Sequence, residues 1–153
     1  MVESGSKTEY REIIRREVDL SCFCLSWRIG MAVNGSVAIV DDEKDVVRTY
    51  ELIFKRRNIS ISFTALDGPD AIEKFMKADP RPGVVIIDYR LPSMSGLQLV
   101  TEVLAIEPGT KVIFVSGDDS IEQECIGIGA TVFLKKPTSI KMITDTVSRL
   151  LNL

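Results

Sequence analysis

The 153 residues contain no histidine. That absence removes histidine–metal sites, serine–histidine and cysteine–histidine nucleophile pairs, and any phosphohistidine of the chain's own. Cysteine is nearly as scarce. Cys22, Cys24 and Cys125 are an odd, sparse set, which reads as reduced thiols in a cytoplasmic protein and not as a disulfide framework. Cys22 and Cys24 form a lone C-x-C with no second ligand pair, and Cys125 stands beside Ile126 and Ile128 as packing. Nor is there an excess of basic charge. The net charge is −3 and the isoelectric point about 5.1, with both signs interspersed, so no nucleic-acid contact is expected. Long hydrophobic runs are missing too: "LSCFCLSW", between Asp19 and Arg28, is too short to cross a bilayer, and Asp19 interrupts it as a secretory signal. The expectation is a soluble protein whose chemistry rests on carboxylates, hydroxyls and lysines.

The length suits one domain, and 45% hydrophobic residues suffice for a core. From Gly35 onward, apolar runs alternate with amphipathic segments: "VAIV" then "EKDVVRTYELIFKRR", "ISISFTAL" then "DAIEKFMKA", "VVIID" then "GLQLVTEVLAI", "KVIFVS" then "SIEQECIGIG", and "TVFL" then "SIKMITDTVSRLL". Uniformly apolar strands separated by helical periodicity imply a parallel sheet covered on both faces, a doubly wound α/β sandwich. Val46, Val47, Tyr50, Leu52 and Ile53, and later Leu97, Val100, Val103 and Leu104, recur at helical spacing. Gly68–Pro69, Pro80–Gly83 and Pro108–Gly109 are breakers before the elements that follow. Residues 1–34 stand outside this alternation as an N-terminal extension, in which Tyr10, Ile13, Ile14 and Val18 could line a short helix. Residues 35–153 form the α/β domain.

In such sheets ligands bind beyond the carboxyl ends of the strands. There the chain places Asp41 and Asp42 after the first strand, Asp88 at the end of the third, Ser116 at the end of the fourth, and Lys136 after the fifth. Singly, each has an ordinary role: a helix cap, a loop acid, a satisfied hydroxyl, a solvated lysine. Together they make a constellation. Three gathered carboxylates repel one another unless a cation joins them, and oxygen-only ligands with open positions suit Mg²⁺. Asp88 is then a candidate nucleophile able to form an acyl phosphate, with Lys136 and Ser116 addressing the remaining phosphoryl oxygens.

"VAIVDDE", "VVIIDYRLPSMSG", "FVSG" and "FLKKP", in this order and spacing, resemble the receiver domain of two-component response regulators. The resemblance implies a flavodoxin-like strand order 2-1-3-4-5, Asp88 as phosphoacceptor, and Mg²⁺ (or Mn²⁺) held by Asp42, Asp88 and the Arg90 backbone carbonyl, with Asp41 acting largely through water. It makes Ser116 and Phe133 switch residues, Lys136–Pro137 a cis peptide bond, and Arg90 and Asp118 site-flanking residues that tune phosphoryl lifetime and could pair across the mouth. Lys135 reads as a solvated neighbour and Met94 as loop packing. The implied partners are a sensor histidine kinase or a histidine phosphotransfer protein, and an unknown output protein met on the face of the fourth helix, fifth strand and fifth helix. Dimerisation on phosphorylation is a further option. The chain would catalyse only its own phosphorylation and dephosphorylation. Rival readings are a receiver-shaped binding module acting without phosphorylation, the receiver of a larger DNA-binding regulator, and an aspartate-nucleophile phosphatase. The last is disfavoured because Arg90 stands where its general acid would be.

Overall fold

A computed structural model describes residues 33–153; the extension, its expected helix, Cys22 and Cys24 lie outside the described residues. Five parallel strands stand in the order β2-β1-β3-β4-β5, namely β1 (Val33–Val40), β2 (Ser60–Ala65), β3 (Arg81–Asp88), β4 (Lys111–Ser116) and β5 (Val132–Lys135). Between and after them run α1 (Lys44–Arg56), α2 (Gly68–Lys77), α3 (Gly96–Ile106), α4 (Glu122–Gly127) and α5 (Ile140–Leu151). This is the flavodoxin-like doubly wound arrangement expected.

The middle strands are apolar at every step because both faces are covered. On one face Val37, Ile39, Val84, Ile86, Ile113 and Val115 pack with Val47 and Phe54 of α1 and Ile143 and Val147 of α5. Their neighbours Ala38, Val40, Val85, Ile87, Val112 and Phe114 point the other way and are equally buried. Each such side chain contributes about 1.5–3 kcal/mol by leaving water, so the strands that carry the acids are the most firmly held part of the fold.

Several boundaries differ from the sequence reading. β1 begins at Val33, before Gly35, because its backbone pairs in register with Arg81 and Pro82. For the same reason β3 starts at Arg81 and takes in Pro82 and Gly83, which the sequence reads as a lead-in. α2 starts at Gly68, since Asp67 caps it by accepting from the Asp70 amide at 2.8 Å and Pro69 fits its first turn. The fourth helical segment is a single 3₁₀ turn, Asp119–Ile121, followed by the short α4. Leu52, grouped with the apolar face of α1, is 59% exposed: the stripe facing the sheet runs through buried Val47 and Phe54 with half-buried Tyr50, and two helical steps beyond Tyr50 point away from the sheet. Cys125 is fully buried, and burial pushes its thiol up to about 11. Among the described residues, no helix is long and apolar enough to cross a membrane.

Candidate functional site

The carboxyl edge of the sheet brings the expected side chains together. Asp41 follows β1, Asp88 ends β3, Ser116 ends β4 and Lys136 follows β5. Carboxylate oxygens of Asp41, Asp42 and Asp88 lie within 4.8 Å of one another. Asp41 and Asp88 are buried, at 5% and 6% exposure, while Asp42 opens to solvent.

Asp41, Asp88, Ser116 and Lys136 are each held by a short hydrogen bond. The Glu43 amide donates to Asp41 Oδ1 at 2.9 Å, and the Arg90 amide donates to Asp88 Oδ2 at 3.0 Å. Lys136 Nζ donates to Asp88 Oδ1 at 2.5 Å. The hydroxyl oxygen of Ser116 accepts from the Asp118 amide at 3.0 Å, and its carbonyl accepts from the Lys136 amide at 2.8 Å. The Lys136–Pro137 peptide bond is cis, as is Asp79–Pro80. Gly96 lets the chain after Asp88 fold back: a Cβ there would lie 2.5 Å from the Asp88 carbonyl oxygen and 2.9 Å from Tyr89 Cα.

The electrostatics follow from this crowding. Burial, and after it the charges of Asp88 and Asp42, push the Asp41 carboxyl up to about 6 against the opposing Glu43 hydrogen bond and Lys136 charge. Burial works against the charge on Lys136, yet the hydrogen bond and charge of Asp88, with Asp41 and Glu43 behind, hold its ammonium above the usual range. The donor set is oxygen only, negative in excess and partly open to solvent, which suits a hard divalent cation that retains waters.

A cleft joins these groups, lined by Asp42, Asp88, Arg90, Ser116, Asp118 and Lys136 together with Glu43, Tyr89, Gly117 and Asp119. The last four are given no role by the sequence: Glu43, Tyr89 and Gly117 stand inside the quoted motifs and Asp119 just after one, without a spacing signal of their own. Tyr50 is a further omission. Burial, followed by the fields of Asp41 and Asp88, pushes its phenol to about 12, and its helical stripe marks it only as core. Arg90 and Asp118 both reach the cleft but make no ion pair among the described residues. The Asp118 carboxylate instead accepts from the Ser120 hydroxyl and amide at 2.6 and 2.9 Å, which keeps it below the usual range. Lys135 pairs with Asp119 at 2.7 Å on the exposed surface. Phe133 is half-buried, its ring stacked on Phe114 at 6.3 Å between centroids, and Phe114 in turn meets Tyr89 at 6.1 Å. Met94 packs against Gly68.

Comparison with known proteins places this geometry in context. A family model described as the response regulator receiver domain matches residues 37–148. Chemotaxis protein CheY of Treponema pallidum is 26% identical over 127 residues, covering 80% of this chain and 88% of that protein. The probable transcriptional regulatory protein TcrX of Mycobacterium tuberculosis is 30% identical over 118 residues, 76% of this chain but only 49% of the regulator. Among solved structures, CheY in the CheX–CheY–BeF3–Mg+2 complex of Borrelia burgdorferi superposes with a TM-score of 0.71 at 27% identity, covering 77% of this chain and 90% of that one.

Proposed function

The chain belongs to the response regulator receiver domain family of two-component signalling, and on that premise we propose that Asp88 accepts a phosphoryl group and that the fold converts this into a change of surface. The observation that carries the reading is the pairing of buried Asp88 with Lys136 beside two further acids on one sheet edge. Receiver domains bind Mg²⁺ at an acidic pocket of this kind. Here Asp42, Asp88 and the Arg90 carbonyl would hold the ion, with Asp41 acting through water. Once bound, it supplies charge neutralisation for phosphoryl oxygens.

Asp88 is held ready for attack by its two hydrogen bonds, from Lys136 and from the Arg90 amide. A carboxylate oxygen forms a bond to phosphorus as the donor's phosphorus–nitrogen or phosphorus–oxygen bond breaks. The leaving group, the imidazole of a partner's phosphohistidine or an acetate, departs with the electron pair of that bond. Because this chain has no histidine, the donor is another protein, a sensor kinase or phosphotransfer protein, or a small acyl phosphate. Lys136 and the Ser116 hydroxyl, whose hydrogen is free because its oxygen is the atom bonded to Asp118, then address the phosphoryl oxygens. Two charge-assisted hydrogen bonds at about 1.5–3 kcal/mol each approach the roughly 5.5 kcal/mol that turns a 1:99 equilibrium into 99:1. Phe133, a half-buried residue of β5 stacked on Phe114, would pass the change to the α4–β5–α5 face, where the output protein or a second copy would bind.

Intact mass after incubation with acetyl phosphate, with and without Mg²⁺, tests the reading. A gain of one phosphoryl group in the parent, dependent on Mg²⁺ and lost in Asp88→Asn, supports it. No gain leaves the binding module that works without phosphorylation. The half-length match to TcrX supports a second reading, a receiver that serves a DNA-binding regulator, and the full reading frame decides that.

A further inference from the structure

The loop from Tyr89 to Ser95 carries the Arg90 amide onto Asp88, and its two ends are pinned. The Gly96 amide donates to the Tyr89 carbonyl at 3.0 Å, and Ser95 Oγ caps α3 by accepting from Gln98 at 3.1 Å. Its tip is less secured. Pro92 and Ser93 are exposed, Ser93 sits in the left-handed region at φ 67, and the Met94 amide closes back onto the Pro92 carbonyl at 2.8 Å. Met94 is half-buried and rests on Gly68, the first residue of α2. A Cβ added at Gly68 would lie 2.8 Å from Met94 Cβ and 2.9 Å from its sulfur.

We infer that Gly68 and Met94 are positioning residues for the acid cluster: bare backbone at Gly68 gives Met94 a seat, and that seat fixes the height of the loop over Asp88. α2 puts no side chain into the cleft, so its influence on the acids passes through packing, and this is its contact with the loop. The argument turns on which atom would clash. A thioether sulfur can rotate away, but a Cβ is carried by the backbone, so an alanine at 68 must part the loop from the start of α2. Gly68 is helical with no positive φ, but it precedes Pro69, whose ring crowds a Cβ on a helical neighbour, so Gly68→Ala is expected to lose some stability as well as to disturb the loop.

The inference rests on reading the cluster as a cation and phosphoryl site, and the test keeps the two apart. Mg²⁺ affinity is measured by calorimetry, and the Arg90 amide resonance is followed in metal-free protein. Gly68→Ala should bind Mg²⁺ about tenfold more weakly, the usual scale for a displaced supporting contact, and should shift the Arg90 amide. Gly127→Ala, where a Cβ would meet nothing within 4 Å, should change neither. Parental affinity with an unmoved Arg90 amide in Gly68→Ala overturns the inference. If that variant does not fold, Met94→Ala alone decides: weaker Mg²⁺ binding supports the seat, and parental binding refutes it. A parent that binds no Mg²⁺ refutes the reading of the cluster instead, and the metal-free Arg90 resonance still decides the positioning role.

Discussion

In metal-free protein the acid cluster should make the fold less stable at neutral pH than in mild acid, the reverse of ordinary acid denaturation, and Asp41→Asn should abolish that slope. Asp41 is 5% exposed and its carboxyl is pushed from 3.8 to about 6, first by burial. A raised folded-state value means that the proton binds the native state more tightly than the unfolded chain. The contribution is therefore full below about pH 4 and lost as pH rises through 6. At 1.36 kcal/mol per unit, a shift of about two units sets a ceiling of roughly 3 kcal/mol. The cluster opens to solvent through Asp42, so screening should reduce this to about 1–2 kcal/mol, or roughly 3–6 °C in melting temperature for a domain of this size. Asp118, Asp119 and Asp145 have lowered values, so their stabilisation is lost only below pH 4 and does not blur the window. The assay is thermal unfolding by circular dichroism at pH 4.5 to 7 in chelator. Asp41→Asn keeps an acceptor for the Glu43 amide and should match the parent at pH 4.5 but melt higher at pH 7. Saturating Mg²⁺ at pH 7 should reverse that order by mass action on the parent. Parallel pH slopes for the two proteins in chelator would refute the reasoning.

Lys136→Ala removes a cation that competes for Asp88; Mg²⁺ affinity by calorimetry should rise roughly tenfold, while phosphorylation should no longer alter amide shifts on α4, β5 and α5. Unaltered or weaker Mg²⁺ binding would count against the pairing. Gly96→Ala forces a Cβ to 2.5 Å from the Asp88 carbonyl oxygen and should cost about 2–4 kcal/mol in urea unfolding; a cost under about 0.5 kcal/mol would contradict that contact. Arg90→Ala should change the dephosphorylation rate, read by mass against time. Asp118→Ala should change it less, because that carboxylate is already engaged by Ser120.

How far the sequence reached depended on whether a feature was set locally or by register. Asp41, Asp42, Asp88, Ser116 and Lys136 could be placed on one edge because each follows an apolar run, and parallel strands put all such ends together. Pro82 could not be placed in β3 that way. Its strand character comes from pairing with Asn34 and from its carbonyl accepting from Thr110 Oγ1 at 3.0 Å, both non-local. Leu52 misled because apolar identity was counted without its helical phase. The Arg90–Asp118 pair was suggested by opposite charges at equivalent positions, but a serine two residues after Asp118 offers closer donors. Gly68 reads as a breaker and Gly96 as the start of a helical run, while both leave space, for Met94 and for the Asp88 carbonyl. Spacing in a sequence shows which residues share an edge, and says little about which atoms will be too close.

The cluster and the scaffold make opposite demands, and their placement reconciles them. Two buried carboxylates and a third beside them weaken the fold, so they must sit where surrounding structure is strongest, at the ends of β1 and β3, whose residues Val37, Ile39, Val84 and Ile87 have at most 1% exposure. Those strands cannot yield, and the repulsion is therefore left for something else to relieve. Lys136 relieves part of it from inside, on a flexible stem beyond β5, and on the proposed reading a divalent cation relieves the rest from the solvent side. A phosphoryl group would then add about −1.5 to −2 charge at a point that the strands hold still. The groups free to answer it are Lys136 and Ser116, which lie on the β4–β5 side, and not Asp41 or Asp42. On the proposed reading, the response would run from Ser116 at the end of β4 toward Phe133 of β5, whose ring already stacks on Phe114, and on toward α4 and α5. On the proposed reading, the direction of signalling would thus follow from which side of Asp88 holds the movable cation.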